Sequence, residues 1–369
     1  MKGNIFLHRF NLFSLIFFFL LLSCKKDPDP GTELVVEPFT ELDKAIAGKM
    51  TLYNIPALAI AITRNEKLVY VHSYGFADKE TSKLASNNDL YRIASISKPI
   101  TVIAILNLVQ DGLLTLDQKV FGSDGILGNE YGTAVAGSNK DLVTVRNLLD
   151  HRSGWTNTPN DPMFSDVTLT QTQLISNLVM NRPLTSTPGT SYYYLNIGYC
   201  ILGRVIEKIT NQTYENYVRV LATEMGITEI KIGGNTLIDR LPKEVKYYQN
   251  EFSPYAINVK RMDAAGGWVA SATDLARFVV SVDRKSYVPD IISPTLLNQF
   301  YFGYFNWYHY GSLPGTSAVL ERVNDTYNYV VLVNTRTEYN YDVILEDLKN
   351  TVSTQISTVS DWPEQDLFY

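Results

Sequence analysis

Residues 91–98 of this chain read Tyr-Arg-Ile-Ala-Ser-Ile-Ser-Lys, and an apolar pattern with helical spacing continues from there to about Val109. On a helix, residues three positions apart share a face, so Lys98 is placed to reach the hydroxyl of Ser95. A partly desolvated lysine can accept the proton of a serine, and free N–H groups at a helix start stabilise an oxyanion. The S-x-x-K pattern is common by itself, and this chain has a second copy at Ser23–Lys26. Ser95 is therefore a candidate nucleophile whose assignment depends on the rest of the sequence.

A second candidate motif is Tyr194-Leu195-Asn196, a Y-x-N about 100 residues after the serine. Its phenol is suited to relaying protons, and its amide is suited to holding a lysine or a substrate carbonyl. The same pattern starts at Tyr214, Tyr248 and Tyr304, in a chain with 24 tyrosines. We favour Tyr194 because an apolar helical segment follows it directly.

The third candidate motif is His309-Tyr310-Gly311, an H-x-G that precedes Ser312 and an apolar segment typical of a strand. A glycine beside a strand allows a ligand to approach the backbone closely. Lys231-Ile232-Gly233 is an alternative third motif, but it follows Tyr194 by only 37 residues. We interpret it as part of a strand and turn.

The pattern along the whole chain predicts an α/β fold. Segments with helical spacing are 37–52, 97–109, 145–149, 169–180, 197–209, 214–225, 272–282 and 341–356, and strand-like runs are 57–63, 67–74, 317–322 and 329–334. Strand-like runs therefore lie near both ends of the chain and helices lie in the middle. We predict an antiparallel sheet flanked by helices, formed by residues 35–90 and 266–369, with a mainly helical insertion at 91–265.

In order and spacing, the three motifs resemble those of the serine β-lactamase and penicillin-binding-protein superfamily. More narrowly, they resemble its branch of class C β-lactamases, D-alanyl-D-alanine carboxypeptidases and esterases. Four further segments agree with this branch: Tyr91–Ala94, Val145–Trp155, Tyr194–Glu207 and Ala264–Phe278. The resemblance extends over about residues 38–355 and implies a β-lactamase-like fold.

The resemblance also implies one role for each motif residue. Ser95 would be the acylated nucleophile, Lys98 its hydrogen-bonded partner, Tyr194 the proton shuttle, Asn196 the group that holds Lys98 or a substrate amide, and His309 the replacement for the lysine of a K-T-G motif. The backbone N–H groups of Ser95 and Ser312 would form the oxyanion hole, with Gly311 beside the substrate. Whether Lys98 or Tyr194 is the acylation base stays open, because the two groups titrate as a coupled pair.

The H-x-G variant is more usual in this family among D-aminoacyl peptidases and esterases than among efficient β-lactamases. A neutral imidazole binds a substrate carboxylate less strongly than a lysine does. The short segment between Trp268 and His309 also indicates a trimmed strand or rim loop. These departures concern the substrate pocket more than the catalysis.

Five other residues allow a structural interpretation. We expect His151 to order a turn below the cleft, Glu207 to lie on a helix face instead of acting as a deacylating base, and Cys200 to be a buried apolar residue. Trp155 and Tyr310 fit a pocket wall and a core or rim position equally well.

The chain begins with an export signal in our interpretation. Residues 1–23 contain Lys2, Arg9, no acidic residue and an apolar run from Leu12 to Leu22, which is too short to span a bilayer. Leu21-Leu22-Ser23-Cys24 resembles a bacterial lipobox, which implies cleavage before Cys24 and lipidation of its thiol. The alternative is an ordinary signal peptide with an incidental cysteine. With cleavage before Cys24, residues 24–34 form a polar, lipid-anchored tether, and residues 35–369 form the hydrolase domain.

Composition excludes several classes of protein. A chain of 369 residues that is 45% hydrophobic and 19% charged can form a large core. Its net charge of −6, which becomes −8 when Lys2 and Arg9 are removed, offers no attraction for nucleic acid. Two cysteines, four histidines and the lack of an HExxH pattern argue against a metal site. We expect no cofactor, and no disulfide if Cys24 is lipidated.

Together these observations predict an exported serine hydrolase, held at a membrane by its lipid anchor, on the periplasmic or cell-surface face. Its expected substrates are D-amino-acid peptides of the cell-wall type, or small esters and amides. One alternative is a β-lactamase proper. The other is a non-catalytic binding lipoprotein with the same fold.

Overall fold

A computed structural model describes residues 39–133, 137–337 and 341–369. The expected signal peptide, the tether and Cys24 lie outside these residues, so the export and anchoring predictions stay predictions. Among the helices of the described ranges, none combines the length and the apolar character needed to cross a bilayer.

The main sheet is antiparallel and is formed by both ends of the chain, as predicted. Its strands are β1 (Ala57–Arg64), β2 (Lys67–Asp78), β3 (Lys83–Leu84), β7 (Trp307–Leu313), β8 (Thr316–Arg322) and β9 (Tyr327–Val333). They lie in the order β3-β2-β1-β9-β8-β7. The inner strands β1, β8 and β9 are nearly continuously buried because helices or other segments cover both of their faces. Strand β7 lies at one edge of the sheet.

A second, three-stranded sheet lies between the two halves of the main sheet in sequence. Its strands are β4 (Tyr91–Arg92), β5 (Lys231–Ile232) and β6 (Trp268–Ala270), in the order β4-β6-β5. The prediction of a mainly helical middle did not include this sheet, since strands of two or three residues are too short to show alternation. Lys231-Ile232 does form a strand, as expected for the alternative K-x-G motif.

Helices cover the main sheet and build the middle of the chain. They are α1 (Thr40–Leu52), α2 (Ser97–Gln110), α3 (Val145–Leu149), α4 (Gln171–Asn181), α5 (Asn196–Thr210), α6 (Tyr214–Glu224), α7 (Val259–Met262), α8 (Ala272–Val280), α9 (Pro294–Leu297) and α10 (Tyr341–Ile356). Helix α2 is apolar all round, and eleven of its 14 residues are buried, as expected for a central helix. Its first turn therefore places Lys98 in the interior of the protein.

Two predicted boundaries need correction. Strand β2 continues to Asp78 instead of ending at Tyr74. The H-x-G motif lies inside β7 instead of preceding a strand. Strand β7 alternates between Trp307, His309, Gly311 and Leu313 on one face and three polar or aromatic residues on the other, a pattern that its many aromatic residues conceal. The division of the hydrolase domain at residues 90 and 266 stays a prediction.

Candidate active site

Ser95 lies in a single 3-10 turn (Ala94–Ile96) that leads directly into α2. Ala94, the residue before it, has a φ of +48°, a left-handed conformation that is unfavourable for a residue with a Cβ atom. Strand β7 lies against this turn so closely that a Cβ atom on Gly311 would be 2.2 Å from the carbonyl oxygen of Ile93. The glycine of the H-x-G motif is therefore required by contact with the backbone beside the nucleophile.

Lys98 is directed at Ser95 from the first turn of α2. Its Nζ donates to Ser95 Oγ at 3.0 Å, to Asn196 Oδ1 at 2.7 Å and to the carbonyl oxygen of Ala265 at 2.6 Å. The residue is only 1% exposed. Burial lowers the pKa of this amine to about 7, against an opposing effect of the Asp161 carboxylate. Both protonation states are therefore accessible near neutral pH.

These contacts suit a neutral amine acting as a base. Asn196 Oδ1 and the Ala265 carbonyl can only accept hydrogen bonds, so they bind the two N–H groups of a neutral lysine. The remaining lone pair then faces the third neighbour, the hydroxyl of Ser95. Ala265 belongs to a single π-helical turn, Asp263–Gly267, and such turns are frequent at functional sites.

Tyr194 also contacts the serine, and its ring centroid lies 4.9 Å from Lys98 Nζ. Its hydroxyl donates to Ser95 Oγ at 2.8 Å, and burial raises its pKa to about 12. The ring of His151 packs on the Tyr194 ring at 4.4 Å between centroids, and His151 Nδ1 accepts the backbone N–H of Leu195 at 3.1 Å. His151 therefore has a structural role, but it orders the segment that carries Tyr194, whereas the prediction gave it a turn below the cleft.

Asn196, the first residue of α5, is held by a carboxylate that the sequence did not indicate. Asp161 Oδ2 accepts the backbone N–H of Asn196 at 2.5 Å and its Nδ2–H at 3.2 Å. The amide oxygen of Asn196 points to Lys98 and its amide nitrogen to Asp161. Of the two functions proposed for Asn196, this arrangement corresponds to holding Lys98.

His309 lines the same cleft as the other motif residues. Its Nδ1–H donates to the carbonyl oxygen of Tyr310 at 3.0 Å, which leaves Nε2 as an acceptor. Burial, together with the nearby charge of Lys98, lowers the pKa of its imidazole to about 4. The ring is therefore neutral at physiological pH, and it offers a substrate no positive charge.

The motif residues surround a cleft of about 710 Å³. Ser312 lines it from β7, whereas Gly311 is buried against the turn that carries Ser95. The oxyanion hole at Ser95 and Ser312 stays a prediction. The other side chains that shape the cleft include Asp161, Phe164, Met262, Leu313 and Arg336. Within the described ranges, no cluster of three or more histidine, cysteine, aspartate or glutamate side chains could hold a metal ion.

The remaining candidates occupy structural positions. Cys200 and Trp155 are buried in the core, and Tyr310 borders the cleft. Glu207 pairs with Arg204 at 3.0 Å and accepts the backbone N–H of Tyr214 at 2.9 Å, which explains it without a catalytic role.

Sequence reasoning missed two groups of the site, Asp161 and the carbonyl of Ala265. A partial signal for Asp161 was available, because the Asn-Asp-Pro at residues 160–162 is typical of a residue that caps a turn. Ala265 lies in Ala264–Phe278, one of the segments that agree with the family branch, but no role was predicted for it because its contribution comes from its backbone.

Comparison with known proteins finds relatives of similar sequence. Protein flp of Staphylococcus aureus (strain N315) is 26% identical over 334 residues, which cover 84% of this chain and 65% of that protein. Penicillin-binding protein 4* of Bacillus subtilis (strain 168) is 25% identical over 252 residues, which cover 61% of this chain and 51% of that protein. The aligned regions thus span less than two thirds of either relative.

Solved structures share the fold at low sequence identity. A D-amino acid amidase from Ochrobactrum anthropi SV3 has a TM-score of 0.67 and 19% identity, over 86% of this chain and 100% of that chain. A D-alanine carboxypeptidase from Burkholderia cenocepacia has a TM-score of 0.66 and 20% identity, over 86% of this chain and 99% of that chain. A class C β-lactamase has a TM-score of 0.68 and 20% identity, over 89% of this chain and 99% of that chain.

The family assignment depends on the sequence match, which extends from residue 42 to residue 342. This range contains the S-x-x-K, Y-x-N and H-x-G motifs and nearly the whole described fold. The chain belongs to the Beta-lactamase family and has the serine hydrolase fold of β-lactamases and penicillin-binding proteins.

Proposed function

We propose that this protein is an exported, lipid-anchored serine hydrolase that forms an acyl-enzyme on Ser95. One observation carries the proposal: Ser95 Oγ lies 3.0 Å from Lys98 Nζ and 2.8 Å from the Tyr194 hydroxyl, at the wall of an open cleft. A hydroxyl between an amine of lowered pKa and a phenol is arranged for proton transfer in both directions.

In the proposed reaction, neutral Lys98 accepts the proton of Ser95 as Oγ attacks the substrate carbonyl. The proton then passes from Lys98 through the Tyr194 hydroxyl to the leaving nitrogen or oxygen, and the bond to the leaving group breaks. Water attacks the resulting ester and releases the acid, while the same groups return the proton to Ser95. Lys98 is favoured as the base over Tyr194, because its pKa of about 7 lies far below the value of about 12 for the phenol.

The cleft is suited to peptides and to small esters or amides. Strand β7 is an edge strand, so its outer backbone groups are available to an extended peptide. At the same time, His309 is neutral, and besides Lys98 the cationic side chain among the described cleft residues is Arg336. We therefore expect Arg336 to provide the main attraction for a substrate carboxylate. The names of the amidase and carboxypeptidase neighbours are consistent with D-amino-acid substrates.

The test of the nucleophile uses a fluorescent acylating probe on the purified protein. Wild type should be labelled at one site, and Ser95→Ala should not be labelled. Ser123→Ala removes a solvent-exposed serine outside the cleft and is the matched control. Equal labelling of Ser95→Ala and wild type would show that the nucleophile is wrong.

Substrate class is tested with a D-aminoacyl peptide, a short-chain ester and a cephalosporin on one preparation. Turnover of the first two, with slow cephalosporin hydrolysis, is the expected result. Rapid cephalosporin turnover would identify a β-lactamase instead. Acylation by none of the three would favour the binding lipoprotein.

Anchoring is tested by cell fractionation. Cys24→Ser should move the protein from the membrane fraction to the soluble fraction, because a lipidated chain start needs this thiol. Cys200→Ala changes the buried cysteine and should leave the distribution unchanged. Unchanged partitioning of Cys24→Ser would refute lipidation.

A further inference from the structure

Asp161 has a carboxylate next to the catalytic groups, but it belongs to none of the three sequence motifs. The side chain is buried at 8% exposure. Its Oδ2 accepts two hydrogen bonds from Asn196, and its Oδ1 accepts the backbone N–H of Met163 at 2.9 Å. Both oxygens are thus engaged within the protein.

These contacts decide which way the Asn196 amide faces. A carboxylate only accepts hydrogen bonds, so it can bind Nδ2–H of the amide but not Oδ1. With Nδ2 fixed on Asp161, Oδ1 faces Lys98 Nζ at 2.7 Å. We propose that Asp161 is a positioning residue for acylation, which fixes the Asn196 amide so that its oxygen receives the lysine.

The loop that carries Asp161 is itself fixed by two arginines. Arg182 Nη2 donates to the carbonyl oxygens of Thr156 at 2.8 Å and Thr158 at 2.6 Å. Arg261 Nη2 donates to the carbonyl oxygen of Met163 at 2.9 Å. The backbone is therefore held on both sides of the carboxylate, as a positioning role requires.

The Asp161 carboxylate also acts on the amine through its charge, since it opposes the effect of burial on the pKa of Lys98. The other titratable groups that face this amine are His151 and His309, with pKa values of about 3 and 4. Tyr194, with a pKa of about 12, and Tyr199, whose pKa burial raises above its ordinary value, face it as well. None of these four groups titrates between pH 5 and pH 9. A shift in the acidic limb of the rate profile within this window therefore reports on Lys98.

The decisive experiment measures the acylation rate constant against pH for wild type and Asp161→Asn. The asparagine side chain can present either its oxygen or its nitrogen to Asn196, so the Asn196 amide loses its fixed orientation. We expect the rate at the alkaline plateau to fall about 10- to 100-fold. Because loss of the carboxylate leaves burial unopposed, the acidic limb should move to lower pH by about one unit.

Two further variants separate this role from simple loop stability. Asp166→Asn, which removes an exposed carboxylate of the same loop that accepts from Thr168, is the matched control and should behave as wild type. Asp161→Ser keeps an oxygen that can accept the N–H of Met163, and it should still show the shifted limb. Asp161→Ser therefore tests the idea even if Asp161→Asn does not fold.

A double-mutant cycle completes the test. In an Asn196→Ala background, Asp161→Asn should cost little additional rate, because its effect passes through Asn196. Wild-type rate and limb in both Asp161 variants would overturn the inference, and so would a uniform loss of rate without a shift of the limb. The inference rests on the proposed function, whose failure is distinguishable because wild type itself would then not be acylated.

Discussion

Replacement of Gly311 by alanine tests the idea that the close contact of β7 with the Ser95 turn sets the geometry of the site. The added Cβ atom would lie 2.2 Å from the Ile93 carbonyl oxygen and 3.1 Å from the Cβ of Ala318. Ordinary contacts begin at 3.4 Å, so β7 and the turn must separate by about 1.2 Å. His309 and Ser312 lie on either side of residue 311, and both would move away from Ser95.

A displacement of about 1 Å in a catalytic site costs roughly 100-fold in rate, and loss of one oxyanion-hole donor costs a similar factor. We therefore expect Gly311→Ala to slow acylation by about 100-fold or more. The clash is also expected to destabilise the fold by about 1–3 kcal/mol. Rapid-quench measurement of probe labelling gives the rate, and thermal unfolding confirms that the variant is folded.

Gly48→Ala is the matched control for this experiment. Gly48 lies inside α1, and a Cβ atom there would meet no other atom within 4 Å. The substitution should leave acylation unchanged and stabilise the protein by about 0.5–1 kcal/mol, because glycine is unfavourable inside a helix. A Gly311→Ala variant that acylates within about threefold of wild type would refute the argument.

Three further predictions concern the proton path. Lys98→Met should abolish labelling, and it should also flatten the pH dependence of the free energy of unfolding. The pKa of Lys98 is near 7 in the folded protein and 10.5 ordinarily, so between these two pH values the unfolded chain binds more protons than the folded protein. Wild-type stability should accordingly rise with pH, by about 2 kcal/mol more than that of Lys98→Met between pH 7 and pH 9 in chemical unfolding; parallel curves would contradict this. Tyr194→Phe should slow acylation about 100-fold at unchanged melting temperature, because the ring keeps its contact with His151, and wild-type kinetics would exclude the shuttle. His309→Lys places a second cation near Lys98, so the acidic limb of its rate profile should lie at lower pH than that of wild type, and an unchanged limb would show that the two groups do not interact.

The site was predictable from sequence to the extent that side-chain identity carries the chemistry. Ser95, Lys98 and Tyr194 occur in an order and spacing that are hard to obtain by chance, and the structure brings all three together. Asp161 escaped because it lies in a loop without periodicity, and its importance comes from contact with Asn196, 35 residues later. Ala265 escaped because any residue could supply its carbonyl.

The fold was predictable for a related reason. Long strands and helices repeat a pattern over several turns or alternations, so β1, α2 and α10 were located to within a few residues. Strands β4, β5 and β6 pair through only two or three residues each, too few to leave a pattern. Their pairing brings Ile93 against Trp268, whose carbonyl accepts the Ile93 N–H at 3.0 Å, and this contact supports the turn that carries the nucleophile.

The cost of this arrangement is concentrated around one residue, Ser95. Ala94 adopts a left-handed backbone conformation, which costs about 1–3 kcal/mol. Lys98 is buried with its pKa lowered from 10.5 to about 7, which corresponds to about 4 kcal/mol lost at pH 7. Each feature is unfavourable for folding, and each directly improves the nucleophile, by aiming its hydroxyl or by providing a base. Local departures from good packing and low strain are expected where a fold serves chemistry, and here they coincide with the S-x-x-K motif, whereas the inner strands of the sheet and the rest of α2 are mostly apolar and buried.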